Sequence, residues 1–279
     1  MFRISLSTGS FGLYPLASVF AIAKEIGFDG VELLIVFESA FRSAKYLKAL
    51  SRQYDLPILS LHAPVIPMPG WGARPFHERT MALATELGCS VVTFHALRPG
   101  VSEEVFRSRR NAYREAQQSC HNGLEMTIEN ITPKVLKGSD GPGAETAGPS
   151  HSLNSVLAME DFPVTFDTCH ASLDGGDIRD TYERLRGRIR NIHFSDIKSL
   201  HGQTRSILFN SLVFHHQVPG SGELPLKELL GMLVNDGYDG LLTLELSPIG
   251  LQAWNPRRMK ENLSRALAFC REHSVPPRG

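Results

Sequence analysis

Short apolar runs alternate along the chain with longer runs in which apolar residues recur at helical spacing. A short apolar run between Gly or Pro residues is typical of a buried strand, whereas apolar positions at i, i+3, i+4 and i+7 indicate an amphipathic helix. The pattern predicts eight strands, at residues 2–8, 30–35, 57–62, 90–95, 124–129, 163–167, 189–194 and 241–245. It predicts helices between them, at residues 16–26, 40–54, 76–87, 102–121, 152–159, 177–185, 226–234 and 258–272.

The regular alternation of strand and helix favours a parallel sheet. Eight such units in a chain of 279 residues close most simply into an α/β fold, the (β/α)8 TIM barrel, formed by residues 1–279 as a single domain. A doubly wound open sheet is the alternative. No G-x-G-x-x-G motif follows the first predicted strand to support that alternative.

Two long segments interrupt the repeating unit. Residues 133–151 are rich in Gly, Ser and Pro, which predicts a loop that leaves the barrel and not a linker between domains. Residues 198–222 form a second long connection, which holds His201, His215 and His216. The apolar residues of this connection favour either a cover over the mouth of the barrel or a contact with another subunit of a homo-oligomer.

Composition and charge narrow the classes of function. The 29 basic and 29 acidic residues cancel, so the chain lacks the basic balance expected of a general nucleic-acid binder. The four cysteines are far apart and form no C-x-x-C pair, which predicts free thiols in a reducing compartment. No apolar run approaches the length of a membrane span, and Pro15 interrupts the only stretch that resembles a signal peptide. We therefore expect a cytoplasmic protein without a membrane partner.

An acidic residue or a histidine lies at the carboxyl end of six of the eight predicted strands. These residues are His62, His95, Glu129, Asp167, His193 and Glu245. The carboxyl ends of the strands of a TIM barrel converge on one face, where active sites lie. Because a buried charge is costly unless it is paired or bound to a metal, this many acids in one mouth require cations.

Nitrogen and oxygen ligands without a thiolate suit a divalent metal such as Mn²⁺, Zn²⁺, Co²⁺ or Mg²⁺. The tightest set for a single ion is Glu129, Asp167, His193 and Glu245, from four consecutive strands. The histidines that remain are left for substrate or for additional ions, and these are His62, His95, His170 and His215. Asp196 follows His193 closely enough either to orient its imidazole or to cap the next helix.

Eight short motifs span nearly the whole chain in order. They are GFDGVEL at 27–33, LHAP at 61–64, VTFH at 92–95, TIEN at 127–130, FDTCH at 166–170, IHFSD at 192–196, PGSGE at 219–223 and GYDGLLTLE at 237–245. In these motifs the chain resembles the xylose isomerase-like TIM barrels. That superfamily comprises sugar and sugar phosphate isomerases and epimerases, and it also contains the endonuclease IV type of AP endonuclease.

The resemblance implies a role for each strand-end residue. Glu129, Asp167, His193 and Glu245 match the metal quartet of the ketose epimerase branch, in which the two glutamates exchange the proton next to the carbonyl of the sugar. His170 matches a residue that contacts a substrate oxygen. The expected function is therefore a divalent-metal-dependent isomerase or epimerase of a small sugar, sugar phosphate or polyol, which acts through an enediolate.

The endonuclease branch supplies the alternative, a zinc-dependent AP endonuclease-like phosphodiesterase. That branch holds three zinc ions, and its further ligands would fall on His62, His95, His170 and His215. The chain departs from it at Val213, where the branch has an aspartate, and in the Pro-rich segment after His62, where the branch has a DNA-probing loop. Neutral net charge also disfavours contacts with phosphates.

Two further interpretations of the function stay open. One is a non-catalytic barrel that binds a sugar. The other is dehydratase or aldolase-like chemistry, which would pass through the same enediolate and use the same residues.

Arg74, Arg98 and Arg205 are candidates to recognise a phosphate or a carboxylate of the substrate, although each is equally compatible with an ordinary surface charge.

Overall fold

Eight parallel strands form a closed barrel in chain order, and the last strand pairs with the first. The computed structural model describes residues 2–12, 14–66, 68–69, 71, 76–96, 102–118, 120–121, 123–131, 153, 156–157, 159–173, 176–199 and 207–275. The strands are β1 Arg3–Ser7, β2 Gly30–Leu34, β3 Ile58–His62, β4 Val91–His95, β5 Glu125–Glu129, β6 Val164–Asp167, β7 Ile189–Phe194 and β8 Leu241–Leu244. The predicted (β/α)8 barrel is confirmed, and closure of the sheet excludes the open doubly wound alternative.

Helices follow the strands on the outside of the barrel. They are α1 Leu16–Ile26, α2 Phe37–Phe41, α3 Ala44–Gln53, α4 Phe76–Leu87, α5 Glu103–Gln118, α6 Thr168–Leu173, α7 Ile178–Leu185, α8 Ile207–Val213, α9 Leu226–Asn235 and α10 Pro256–His273. Among the described residues, no helix combines the length and the apolar character needed to cross a bilayer. The predicted loop at 133–151 lies outside the described residues.

The structure divides one predicted helix in two and adds two helices that were not predicted. Residues 40–54 do not form one helix, because Arg42 and Ser43 are extended and the Ser43 hydroxyl caps α3 by accepting from the N–H of Tyr46. The long connection predicted at residues 198–222 contains the helix α8. His170 lies on the short helix α6, which follows β6 directly.

The interior of the barrel is polar, in contrast to the bulky apolar layers that commonly fill a TIM barrel. Hydroxyl groups meet inside it, since Thr165 Oγ1 of β6 lies 3.0 Å from Thr93 Oγ1 of β4 and 2.6 Å from Thr127 Oγ1 of the neighbouring strand β5. Ser5 Oγ likewise lies 2.8 Å from Thr243 Oγ1. Because side chains alternate along each strand, the apolar residues between these polar ones face the helices and form the hydrophobic core.

Asp196, just beyond β7, organises the turn at residues 218–224. Its two carboxylate oxygens accept hydrogen bonds from the backbone N–H groups of Ile197, Gly220, Gly222 and Leu224 at 2.8–3.0 Å. A Cβ at Gly222 would come within 2.1 Å of the Ile197 carbonyl oxygen, so the turn packs tightly on Asp196. The sequence suggested that Asp196 either orients the His193 imidazole or caps a helix. In the structure Asp196 accepts from backbone N–H groups, as a helix cap does, but those groups belong to a turn.

Replacing Asp196 with Ala is expected to lower the free energy of unfolding by about 3 kcal/mol, because several buried N–H donors lose their acceptor at once. Urea denaturation measures the change. Asp177→Ala is the matched control, since Asp177 caps the start of α7 by accepting from the Arg179 N–H and pairs with the Arg179 guanidinium at the surface, and its loss should cost about 1 kcal/mol. If Asp196→Ala were no less stable than Asp177→Ala, Asp196 would not be the residue that holds the turn at 218–224 together.

Candidate functional site

Four strand-end side chains meet at the carboxyl-terminal mouth of the barrel. They are Glu129, Asp167, His193 and Glu245, and each offers a ligand atom within 4.8 Å of those of the others. Strand register brings the first three together, because His193 lies opposite Asp167 across the β6–β7 pair and Glu129 extends from β5 next to them. Three of the side chains are buried, and Glu245 is 24% exposed at the opening. We call these four residues the quartet.

The imidazole of His193 is enclosed by carboxylates on both of its edges. Its Nδ1 lies 3.1 Å from Glu129 Oε1 and 2.9 Å from Glu245 Oε2, and its Nε2 lies 3.2 Å from Glu32 Oε2. Burial by itself would lower the pKa of His193, but the charges of Glu32, Glu129 and Glu245 hold that pKa well above its ordinary value. The site therefore attracts positive charge strongly.

Glu129 is the most heavily contacted member of the quartet. Its Oε2 lies 2.9 Å from His62 Nε2 and 3.3 Å from His95 Nε2, while its Oε1 faces His193. Burial would raise the pKa of Glu129, but the neighbouring imidazoles hold it well below its ordinary value. Glu129 is therefore ionised, and only 1% of its side chain is exposed.

Asp167 is held in place by the backbone around it. The Asn130 side chain accepts from the Asp167 N–H at 2.8 Å and donates to the Asp167 carbonyl at 3.0 Å. This arrangement extends the short β5–β6 pairing up to the quartet. Asp167 Oδ1 accepts from the N–H of His170 at 2.6 Å. Burial raises the pKa of Asp167, although His170 and His216 oppose that rise.

The donor atoms of the quartet fit a divalent cation. Within the described part of the chain, the buried atoms Asp167 Oδ2 and Glu245 Oε2 accept no hydrogen bond. His193 Nδ1 is only 2.9 Å from Glu245 Oε2, but its hydrogen bond is to Glu129 Oε1. Unsatisfied buried carboxylate oxygens are costly, and a cation between them would remove that cost. One imidazole and three carboxylates form a nitrogen and oxygen set that suits Mn²⁺, Zn²⁺, Co²⁺ or Mg²⁺.

Two further groups of potential ligands adjoin the quartet. One is His62, His95 and Glu129, and the other is Asp167, His170 and His216. Both share a carboxylate with the quartet, so all three groups form one continuous cluster. The structure thus brings His62, His95 and His170, three of the histidines predicted at the site, into this cluster.

The structure places His216, and not His215, beside His170. The two rings have centroids 5.2 Å apart, and His216 Nδ1 lies 3.3 Å from Ser195 Oγ. His216 has a left-handed backbone (φ 50), which turns its side chain toward the mouth. His215 is buried, and burial lowers its pKa to about 4. Nothing in a His-His pair indicates which ring faces the site, so the sequence could not make this distinction.

The position two residues before His216 is Phe214, so the aspartate of the endonuclease branch is missing whichever histidine is aligned. The arginines considered for recognition of an anionic substrate (Arg74, Arg98 and Arg205) lie outside the described residues, as does His201. A cavity of about 260 Å³ opens between the segments that follow β1 and β2. Its lining includes Thr8, Tyr14 and Phe37, and it lies on the same face of the barrel as the quartet.

Sequence reasoning had not assigned a role to Glu32. Its side chain is fully buried in the middle of β2, between Val31 and Leu33, which face the core. The signal that could have identified it is an acid inside an otherwise apolar strand, since alternation along the strand turns that acid toward the interior of the barrel.

Comparison with known proteins gives one family and several relatives. A family model described as "Xylose isomerase-like TIM barrel" matches residues 20–275. An uncharacterized protein of Mycobacterium tuberculosis is 29% identical, with 97% of each chain covered. Fructoselysine 3-epimerase of Escherichia coli O157:H7 is 23% identical over 83% of this chain and 86% of the epimerase. A crystal structure of a D-tagatose 3-epimerase-like protein superposes with a TM-score of 0.67 at 22% identity, over 98% of this chain and 100% of the other.

Proposed function

The chain belongs to the xylose isomerase-like TIM-barrel family, and from that membership we propose that it is a divalent-metal-dependent isomerase or epimerase of a small sugar, sugar phosphate or polyol. The observation that carries the proposal is the quartet, in which buried carboxylate oxygens without donors surround one imidazole at the mouth of the barrel. The relatives of the chain include sugar epimerases, which supports the same class of reaction.

Glu129, Asp167, His193 and Glu245 would hold the metal ion, whether Mn²⁺, Zn²⁺, Co²⁺ or Mg²⁺. When bound, the ion supplies a Lewis acid that polarises the carbonyl group of the substrate and stabilises negative charge on oxygen. The charge of the three carboxylates remains partly uncompensated by one divalent ion. Burial lowers the pKa of His62, but its bond to Glu129 raises that pKa above its ordinary value, so the His62 imidazole offsets part of that excess.

Glu245 is the carboxylate placed to take the proton from the carbon next to the carbonyl. It is the only member of the quartet with an exposed side chain, at 24%, so a substrate in the mouth reaches it directly. Removal of the proton leaves an enediolate, and return of a proton to the same carbon or to its neighbour gives an epimer or an isomer. A carboxylate within hydrogen-bond reach is well suited to such a transfer.

We propose that the second proton transfer passes through an imidazole. Glu129 is only 1% exposed, whereas His95, whose Nε2 lies 3.3 Å from Glu129 Oε2, is 35% exposed. We therefore assign to Glu129 and His95 together the second proton transfer that the family resemblance gives to Glu129 alone. His95 thus joins Glu129 and Glu245 among the catalytic residues of the proposal.

The exposed histidines are the candidates for contact with substrate hydroxyls. His95 and His170 both open to the mouth, with 35% and 17% of their side chains exposed. His62 is only 2% exposed, so it acts on the substrate indirectly by holding Glu129. His215 was a substrate-binding candidate from the sequence, and His216 takes its place in the proposal because its ring faces His170.

Incubation of the metal-loaded protein in D₂O with a panel of ketoses, ketose phosphates and cyclic polyol ketones tests the proposed function. The expected result is uptake of deuterium from the solvent at the carbon next to the carbonyl of at least one compound. Appearance of the epimer or isomer identifies the reaction. Absence of exchange across the panel, with hydrolysis of a phosphodiester by the same preparation, would overturn the proposal.

One observation favours a zinc phosphodiesterase as the second candidate. His62, His95 and Glu129 form a group of three potential ligands beside the quartet, with their ligand atoms within 4.8 Å of one another. That arrangement is suited to an additional cation. The missing aspartate before His216 and the balanced charge of the chain weigh against this candidate.

Metal content separates the two candidates. The isomerase proposal predicts one tightly held divalent ion per chain after dialysis, and loss of that ion when Asp167 is replaced by Asn. Three tightly held zinc ions per chain would favour the phosphodiesterase instead. Inductively coupled plasma mass spectrometry on the dialysed wild type and on Asp167→Asn makes the measurement, and Asp177→Asn, on the exposed start of α7, is the control.

A further inference from the structure

Glu32 lies beneath the quartet and contacts it only through His193. Its Oε2 accepts hydrogen bonds from Ser60 Oγ at 2.9 Å and from Asn191 Nδ2 at 3.2 Å, and it lies 3.2 Å from His193 Nε2. The side chain is fully buried. Glu32 is therefore close to the quartet without belonging to any of the three groups of potential ligands.

The donors around Glu32 Oε2 determine the tautomer of His193. Thr243 Oγ1 donates to Asn191 Oδ1 at 2.9 Å, so the amide nitrogen of Asn191 is the atom that faces Glu32. An ionised carboxylate only accepts hydrogen bonds, so His193 Nε2 must carry a proton to bond to it. In the neutral imidazole the lone pair is then on Nδ1, which faces Glu129 and Glu245.

We propose that Glu32 is a positioning residue, which fixes the ring of His193 and presents its Nδ1 lone pair to the metal ion of the quartet. The proposal rests on the proposed metal-dependent function. A carboxylate on the outer nitrogen of a ligand imidazole also makes that imidazole a stronger electron donor. The reacting atoms are never in contact with Glu32, whose influence passes through His193.

The alternative is that Glu32 only stabilises the interior of the barrel. The geometry argues against this alternative, because within the described residues no hydrogen bond satisfies the second oxygen, Glu32 Oε1. A buried carboxylate with an unsatisfied oxygen destabilises a fold, and an apolar or neutral residue of the same shape would serve stability at least as well. We therefore expect a neutral replacement to weaken metal binding and not to weaken the metal-free fold.

Glu32→Gln tests the proposal, because it keeps the shape of the side chain and removes its charge. The affinity for Zn²⁺, measured by competition with a chelator of known affinity, is expected to fall roughly 10- to 100-fold. The melting temperature of the metal-free variant is expected to equal or exceed that of the metal-free wild type. Glu125→Gln is the matched control, since Glu125 begins β5 at the opposite end of the barrel and pairs with Arg190 at 3.0 Å.

A second measurement does not depend on how the variant folds. Nuclear magnetic resonance of ¹⁵N-histidine-labelled wild type loaded with Zn²⁺ should show His193 with its proton on Nε2 and without one on Nδ1, assigned by comparison with His193→Gln. A proton on Nδ1 would overturn the proposal. So would an affinity of Glu32→Gln equal to that of Glu125→Gln, or a loss of affinity matched by a fall in the metal-free melting temperature. If the wild type binds no metal ion, the proposed metal-dependent function itself fails.

Discussion

Glu245→Gln is expected to lower the rate of deuterium exchange into substrate by about 10²- to 10⁴-fold, the usual contribution of a general acid or base. The amide of glutamine keeps an oxygen near the quartet but cannot accept the proton from carbon. Because Glu245 is the exposed carboxylate, no other member of the quartet replaces it at the substrate. The measurement is the initial rate of exchange by mass spectrometry, with a substrate found in the ketose panel.

Glu129→Gln should cause a loss of similar size, since its Oε2 would no longer accept from His62 and His95. Glu125→Gln is the control, because it makes the same chemical change on the same strand at the far end of the barrel. Its rate should stay close to that of the wild type. If Glu129→Gln and Glu245→Gln kept both the ligand affinity and the biological role of the wild type, the chain would be a sugar-binding barrel and not an enzyme.

Removal of the metal ion is expected to abolish exchange and to reduce stability. At a free metal concentration about 100 times the Kd, bound metal stabilises the fold by about 2.7 kcal/mol, so a chelator should lower the melting temperature accordingly. Differential scanning fluorimetry with and without chelator measures the change, and added Mn²⁺ or Zn²⁺ should restore both the melting temperature and the activity. Exchange that persists in metal-free protein would contradict the role of the quartet.

Metal binding should also release a proton near pH 7. Burial lowers the pKa of His193, but Glu32, Glu129 and Glu245 raise it well above its ordinary value of 6.5, so the metal-free site holds an imidazolium. The imidazolium is lost as the pH rises through this raised pKa. Metal affinity should rise with pH over the same range, because the proton and the ion compete for Nδ1. Calorimetry in buffers of different ionisation enthalpy measures the released proton.

The sequence predicted the barrel and the quartet because both depend on local pattern. Buried strands are apolar and short, and an acid or imidazole at the end of each one is visible without knowledge of the fold. Parallel topology then brings the ends to one face. The break between α2 and α3 could not be predicted in this way, because Arg42 is an acceptable helix residue and the extended backbone there depends on tertiary contacts.

The residues that lie behind the quartet could not be predicted for a different reason. Glu32 and Asn191 lie in the middle of their strands, and their importance depends on which distant side chains they meet inside the barrel. Asp196 was considered as a partner of His193 because it is near in sequence, whereas the partner in space comes from β2. The choice between His215 and His216 depended on one backbone dihedral angle. Each of these contacts joins segments that are distant in the chain or depends on backbone geometry without a local sequence signal.

The polar network inside the barrel has a consequence for the order of folding. Ser5 of β1 and Thr243 of β8 are 238 residues apart, and Thr243 also fixes the amide of Asn191 that faces Glu32. The environment of His193 is therefore complete only after the first and last strands have met. Contacts of such large sequence separation form slowly and late. In a growing or partly folded chain the surroundings of His193 would be incomplete. Tight binding of a metal ion would therefore distinguish molecules with a closed barrel from those that are still folding.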